Sequence, residues 1–89
     1  MLQVTDNAKT EFARILLENK AEKDVAIRLI FNDKTRKLEL VLSKVLEHDH
    51  IEKSAEGKIV LLIDSGLFPQ LEAYIVDFDK TTGITVNKV

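Results

Sequence analysis

The stretch VAIRLIF, residues Val25–Phe31, decides the fold class of this chain. Its alternation of side chains has a period of two, which is the period of a β-strand. One face of that strand carries Val25, Ile27, Leu29 and Phe31, and Arg28 lies on the other face. After a polar turn segment at Asn32–Lys37, the leucines of Leu38–Leu42 restart the alternation. Two such runs with a short polar link predict a β-hairpin.

On the N-terminal side of the hairpin, a short strand pattern is followed by apolar residues that recur with the period of an α-helix. Leu2 and Val4 alternate with polar residues and predict a short edge strand, and Thr5 follows as a helix N-cap. The next apolar residues recur at helical spacing, which predicts one amphipathic helix from about Asp6 to Lys20. Its apolar stripe consists of Ala8, Phe12, Ile15 and Leu16.

On the C-terminal side, further strands are expected. Glu47–Gly57 is charged and predicts a surface excursion, whereas Lys58–Ile63 predicts a strand buried on both faces. A helical turn at Leu67–Leu71, a strand at Ala73–Asp79 and a last strand at Ile84–Val86 complete the pattern. We expect a single domain over residues 1–89, of α+β class and rich in β-structure, with one main N-terminal helix against a strand-rich sheet.

Composition excludes several classes of function. The chain has 89 residues, 45% hydrophobic and 31% charged, with 13 basic and 15 acidic side chains, a net charge of −2 and no cysteine. Without cysteine, disulfides, zinc ribbons, thiol nucleophiles and clusters held by this chain's own thiolates are excluded. Mild acidity argues against nucleic-acid binding. No apolar run is long enough to span a membrane and no signal peptide is apparent, so we expect a cytoplasmic protein without a membrane partner.

The most suggestive local cluster is His48-Asp49-His50. In an extended segment His48, His50 and Glu52 share one side and would present two imidazoles and a carboxylate to a metal ion. The alternative is a solvated loop rich in charged residues. Because metal sites need supporting groups that a polar loop seldom supplies, we favour the solvated loop.

Three other motifs favour structural roles. Ser65 follows a strand but lacks the flanking glycines of a nucleophile elbow, so we interpret it as a turn residue. Asp77 and Asp79 lack the order of a calcium loop and are expected on the solvent face of their strand. A basic patch around the first hairpin has no aromatic platform for bases. That patch consists of Arg28, Lys34, Arg36 and Lys37. No catalytic, cofactor-binding or metal-binding residue is therefore predicted.

The order of these segments resembles the HesB/IscA family, the A-type carriers of iron–sulfur cluster biogenesis. The similar fragments lie in the same order over nearly the whole chain. They are Leu2–Ala8, Ile27-Arg28-Leu29, Ile59–Ile63 with Asp64 and Ser65, Val76-Asp77-Phe78, and Gly83–Asn87.

The resemblance implies a small β-rich domain, often dimeric or tetrameric, that holds iron or a cluster through three cysteines. One cysteine belongs to a glycine-flanked loop after the Ile-Arg-Leu-like strand, and two form a Cys-Gly-Cys near the C-terminus. Here the loop at Asn32–Lys37 has neither cysteine nor glycine, and the position of the Cys-Gly-Cys falls after Val89. No ligand position carries over, and no cofactor is expected.

Three hypotheses for function follow. The first is a non-enzymatic HesB/IscA-like domain without cysteine ligands, with an interaction or accessory role as a homodimer or with another protein. The second is a peptide- or protein-binding module that uses a sheet edge, at Leu2–Val4 or Ile84–Val86, by strand addition. The third is a weak metal-binding protein that uses His48 and His50.

Overall fold

One α-helix and seven β-strands build the protein in a computed structural model that describes residues 1–89. The elements are β1 (Gln3–Val4), α1 (Asp6–Glu18), β2 (Val25–Asn32), β3 (Lys37–Lys44), β4 (His50–Lys53), β5 (Ile59–Ile63), a 3₁₀ turn (Phe68–Leu71), β6 (Tyr74–Asp79) and β7 (Gly83–Lys88). The strands divide into two sheets, whereas the sequence pattern had predicted one. The α+β class and the single main helix are confirmed.

The larger sheet has four strands in the order β3-β2-β5-β4. The predicted hairpin is present as β2 and β3, which pair antiparallel from Val25 opposite Lys44 to Asn32 opposite Lys37. Strand β5 runs parallel to β2 but pairs with Ile27–Leu29 only. Strand β4 pairs antiparallel with the other side of β5. The distal half of the hairpin therefore extends past the end of β5.

The smaller sheet has three strands in the order β1-β6-β7. Strand β1 runs parallel to β6, and β7 runs antiparallel to it. The turn before β7 ends at Gly83, whose φ of 81° lies in the left-handed region that glycine adopts without a steric penalty. Both β1 and β7 are edge strands, as their sequence patterns predicted.

Helix α1 is held at both ends by local hydrogen bonds. The Thr5 hydroxyl oxygen accepts from the Ala8 N–H at 3.1 Å, and its O–H donates to Asp77 Oδ1 at 2.7 Å. This confirms the predicted N-cap and ties the helix to β6. At the other end, the N–H of Ala21 donates to the Leu16 carbonyl at 3.0 Å, and Lys20 has a φ of 53°. This is a Schellman ending with lysine in the place that glycine usually occupies.

The core lies where α1 packs against both sheets. Its central side chains are fully buried and come from the helix, from β2 and β5, and from β6. They include Phe12, Leu29, Leu61, Ile63 and Val76. The predicted helical stripe is confirmed, because Ala8 and Phe12 are buried and Ile15 and Leu16 pack against this core. β5 is buried along Val60–Ile63, as its unbroken apolar run predicted.

Three local predictions are wrong. Glu47–Gly57 is not only a surface excursion, because it contains β4. Phe31 is expected on the same face of β2 as the buried Ile27 and Leu29, but it is 43% exposed, because it lies past the end of β5. Arg28 is expected in the basic patch around the first hairpin but is only 7% exposed.

Candidate functional site

A groove of about 800 Å³ lies beside the distal half of the β2–β3 hairpin, where β5 has ended. One wall is the hairpin itself, and the other wall is the segment from the end of β5 to the start of β6. The apolar side chains of the groove include Phe31, Leu38, Leu46, Leu67, Leu71 and Tyr74. Its charged side chains are Arg28, Asp33, Arg36 and Asp64. The lining is therefore mixed in charge, because it contains two cationic side chains and two carboxylates.

The backbone of β2 is open toward this groove. The N–H of Val45 donates to the Asp24 carbonyl at 2.8 Å and continues the β2–β3 ladder by one residue pair. Because backbone groups alternate in direction along an antiparallel pair, the even-numbered residues of β2 bond to β3 and the odd-numbered ones point away. Phe31 thus directs its backbone N–H and C=O toward the side where β5 no longer extends.

The tip of the hairpin is a compact basic turn. Asn32 Oδ1 accepts from the Lys34 N–H at 2.9 Å, and the Asn32 carbonyl accepts from the Arg36 N–H at 2.7 Å. Arg36 adopts a φ of 61° to close the turn. Lys34, Arg36 and Lys37 are exposed and none of them forms an ion pair. The expected basic patch therefore consists of these three side chains without Arg28.

Arg28 instead forms a buried ion pair with Asp49. Its guanidinium donates to Asp49 Oδ1 at 2.9 Å and to Oδ2 at 2.6 Å. It also donates to Ser43 Oγ at 3.0 Å and to the Lys44 carbonyl at 3.1 Å. Asp49 Oδ2 accepts a further bond from the Leu46 N–H at 2.7 Å. The pair fixes the segment after β3 against the sheet and positions Leu46 at the groove.

Hydrogen bonding dominates the electrostatics of this pair. The Arg28 guanidinium holds the pKa of the Asp49 carboxyl below its usual range, and burial opposes this effect. The same hydrogen bonds raise the pKa of Arg28, again against the effect of burial. Both groups are therefore charged at neutral pH.

The structure does not bring together His48, His50 and Glu52, the alternative metal cluster of the sequence analysis. His50 Nε2 lies within hydrogen-bonding distance of Glu52 Oε2, and the His50 ring stacks on Phe68 with centroids 3.7 Å apart. His48 is exposed in the preceding turn with a φ of 69°, and Asp49 between the two histidines is committed to Arg28. No group of three or more histidine, aspartate or glutamate side chains is arranged to hold a metal ion.

The other singled-out residues have structural positions. Ser65 is exposed in a turn that Asp64 closes by accepting from the Gly66 N–H at 2.7 Å. Asp77 is half-buried rather than solvent-facing, and the Thr5 hydroxyl lowers its pKa. Asp79 is exposed and accepts from the Thr81 N–H at 2.7 Å.

The hairpin tip does not fit the iron–sulfur cluster that the family resemblance implies. Such clusters are held by cysteine thiolates, and the tip offers amide, carboxylate, hydroxyl and cationic groups. Ammonium and guanidinium groups have no lone pair for iron at neutral pH, and Asn32 Oδ1 is engaged in closing the turn. We therefore assign no cluster ligand in this part of the chain.

Sequence reasoning missed the groove and the partner of Arg28. A charged residue within an apolar strand is itself a signal of a buried ion pair, because arginine is rarely buried alone. The identity of the partner depends on how the segment after β3 crosses the sheet, which no local pattern reveals.

The structure contains no helix with the length and apolar character that a membrane-spanning segment requires.

The fold is similar to two solved structures. A protein from Aquifex aeolicus, solved by solution NMR, superposes with a TM-score of 0.64 at 20% sequence identity, over 99% of this chain and 91% of that chain. The crystal structure of IscA with a [2Fe-2S] cluster superposes with a TM-score of 0.63 at 16% identity, over 99% of this chain and 85% of that chain. No family model and no curated protein matches the sequence. The fold is therefore an IscA-like α+β fold.

Proposed function

We propose that this chain is a non-enzymatic, IscA-like domain with an interaction or accessory role, which does not hold a cluster through its own side chains. In this proposal residues 1–89 form a single domain that acts in the cytoplasm and binds protein. The IscA-like fold supports the kind of domain, and the complete absence of cysteine supports the loss of cluster chemistry. We extend the proposal to iron–sulfur cluster biogenesis as the process in which the domain takes part.

The observation that carries the binding role is the groove beside the hairpin. Phe31 and Leu46 expose apolar surface at its edge, and Phe31 presents an unpaired stretch of strand backbone. Apolar side chains next to free backbone groups are what an extended protein segment requires of a docking site. The basic tip at Lys34, Arg36 and Lys37 favours a segment with an acidic end.

Anaerobic reconstitution with ferrous iron and sulfide tests the loss of cluster chemistry. We expect no visible absorbance bound to the protein after desalting, because the chain has no thiolate. A cysteine-containing IscA carried through the same procedure shows that the conditions assemble clusters. A stoichiometric cluster on this chain would overturn the proposal.

Two leucine variants test the groove. Leu46→Ser removes an exposed apolar side chain from the groove, and Leu17→Ser removes an even more exposed one at the end of α1, outside the groove. Proteins that cross-link to the wild type and to Leu17→Ser but not to Leu46→Ser support binding in the groove. Equal cross-linking by both variants, with matching circular dichroism spectra, contradicts it.

A second candidate, strand addition at the groove, rests on the free backbone of Phe31. Phe31→Pro removes the N–H that would bond to an added strand, and Phe31→Ala removes the ring but keeps the N–H. The test uses a protein that has been identified as a partner of the wild type. If an added strand binds here, Phe31→Pro should weaken capture of this partner more than Phe31→Ala does. Equal capture by the two variants excludes strand addition at this position.

A further inference from the structure

Strand β3 is a long edge strand with no covering element. It spans Lys37–Lys44 and pairs with β2 on one side only. Both faces of its central part are apolar and exposed, since Val41 is 41% exposed and Leu42 is 50% exposed. Exposed, apolar edge strands promote pairing with another strand, and proteins usually blunt them. Here the charged side chains that do so are Lys37, Glu39 and Lys44.

The phase of the β2–β3 ladder shows which backbone groups of β3 are free. The Val45 N–H bonds to the Asp24 carbonyl, so the odd-numbered residues of β3 direct their backbone groups to β2. The free donors and acceptors therefore belong to the even-numbered residues. These are the N–H and C=O of Leu38, Leu40 and Leu42 and the N–H of Lys44, whose carbonyl already accepts from the Arg28 guanidinium and the Ser43 hydroxyl.

We propose that a second copy of this chain pairs antiparallel with β3 across a two-fold axis at Val41. This axis places Leu38 opposite Lys44 and Leu40 opposite Leu42, each pair occurring twice. About six hydrogen bonds then form across the pair, and only the Leu38 N–H lacks an acceptor, because the Lys44 carbonyl opposite it is engaged. An axis at Leu42 forms fewer of these bonds, and an axis at Leu40 places Lys44 opposite Arg36 of the partner subunit, which opposes two positive charges, so the edge favours Val41.

The side chains agree with this register. Val41 meets Val41 of the partner subunit on the face that carries Arg28, because Val41 lies opposite Arg28 in the hairpin. Leu40 meets Leu42 on the other face, and Glu39 meets a neutral serine at position 43. No like charges are directly opposed, and the stem of Lys44 covers Leu38 while its ammonium group reaches water. The two four-stranded sheets become one continuous sheet of eight strands.

Self-complementarity identifies the occupant as a second copy. A two-fold contact requires one patch to match itself, and the seven residues from 38 to 44 do so in backbone direction, apolar pairing and charge. This pairing deepens the interaction role proposed above by naming one partner and one surface. Of the residues that line the groove it involves Leu38 alone, and it leaves the hairpin tip free.

Single-cysteine variants test the pairing, because the wild-type chain has no other thiol. Val41→Cys places two cysteines at a non-hydrogen-bonded pair with Cα atoms about 4.5 Å apart, within the range of a disulfide. Leu42→Cys is the control, since Leu42 is at least as exposed but faces Leu40 instead of itself. We expect a disulfide-linked dimer for Val41→Cys under mild oxidation and little for Leu42→Cys.

The solution mass of the wild type completes the test without any substitution. We expect a dimer by analytical ultracentrifugation, and Val41→Lys, which keeps the fold because its side chain is exposed, is expected to be a monomer. A monomeric wild type, or equal cross-linking of Val41→Cys and Leu42→Cys, overturns the pairing. Those results leave reconstitution and groove binding unaffected, so failure here is distinct from failure of the proposed function.

Discussion

Removing the carboxylate of Asp49 is the substitution with the clearest structural consequence. Asp49→Ala deletes both oxygens that bind the guanidinium of Arg28, at 2.9 and 2.6 Å, and one of these, Oδ2, also accepts from the Leu46 N–H. The Arg28 side chain is only 9% exposed, so water cannot replace the lost carboxylate. The variant therefore contains a buried positive charge without a counter-charge.

The expected magnitude follows from this burial. Breaking a buried ion pair by removing one partner costs about 3–5 kcal/mol of unfolding free energy. Arg28 keeps its bonds to Ser43 Oγ and to the Lys44 carbonyl, so we expect the lower end of that range, about 3 kcal/mol. Asp49→Asn retains one acceptor oxygen and should lose less.

Urea denaturation followed by circular dichroism measures the effect. Glu47→Ala is the matched control, because Glu47 is an exposed acid in the same segment without an ion pair, and its loss should change the unfolding free energy by less than about 0.5 kcal/mol. The double variant Arg28→Met with Asp49→Leu should recover much of the loss, because it removes the buried charge. A loss below about 1 kcal/mol for Asp49→Ala would refute a buried, energetically coupled pair.

Further predictions concern the helix, the core and the acid response. Thr5→Val removes the N-cap and should cost about 0.5–2 kcal/mol in unfolding free energy, whereas Thr10→Val within the exposed helix should cost less than half as much. Phe12→Ala empties a fully buried site and should cost about 3–5 kcal/mol, measured by urea denaturation. Lys20→Gly relieves a φ of 53° and should raise the unfolding free energy by about 1 kcal/mol. The pKa of Asp49 is lowered from 3.8 in the folded protein, so the carboxylate contributes fully to the unfolding free energy above that pH. This contribution is lost as the pH falls toward the lowered pKa. The melting temperature of Asp49→Asn should therefore depend less on pH below about 4 than that of the wild type.

Local patterns in the sequence predicted the elements that depend on neighbouring residues. The alternation at Val25–Phe31 and its continuation after the polar turn predicted the β2–β3 hairpin, and the spacing of Ala8 and Phe12 predicted the buried face of α1. Thr5 was recognised as the N-cap because capping needs only the next few residues. These features follow from geometry within one element or one turn.

Features that depend on distant contacts could not be predicted in this way. The division into two sheets requires β1 to pair with β6, far along the chain. In β4 the polar side chains of His50 and Glu52 lie on the helix side of the sheet, and the apolar side chain of Ile51 faces outward. The sequence of this strand therefore has the polarity pattern of a solvated loop. Alternation places Arg28 on the face of β2 opposite the apolar residues, but it does not show what covers that face, so the burial of Arg28 could not be predicted.

The metal content and solution mass of the protein, purified without oxygen and without an affinity tag, test the central proposal most directly. An IscA-like domain that acts by association through its own surfaces should contain substoichiometric iron and acid-labile sulfide and sediment as a dimer. Stoichiometric iron and sulfide on a monomeric chain would contradict both the loss of cluster chemistry and the role of β3.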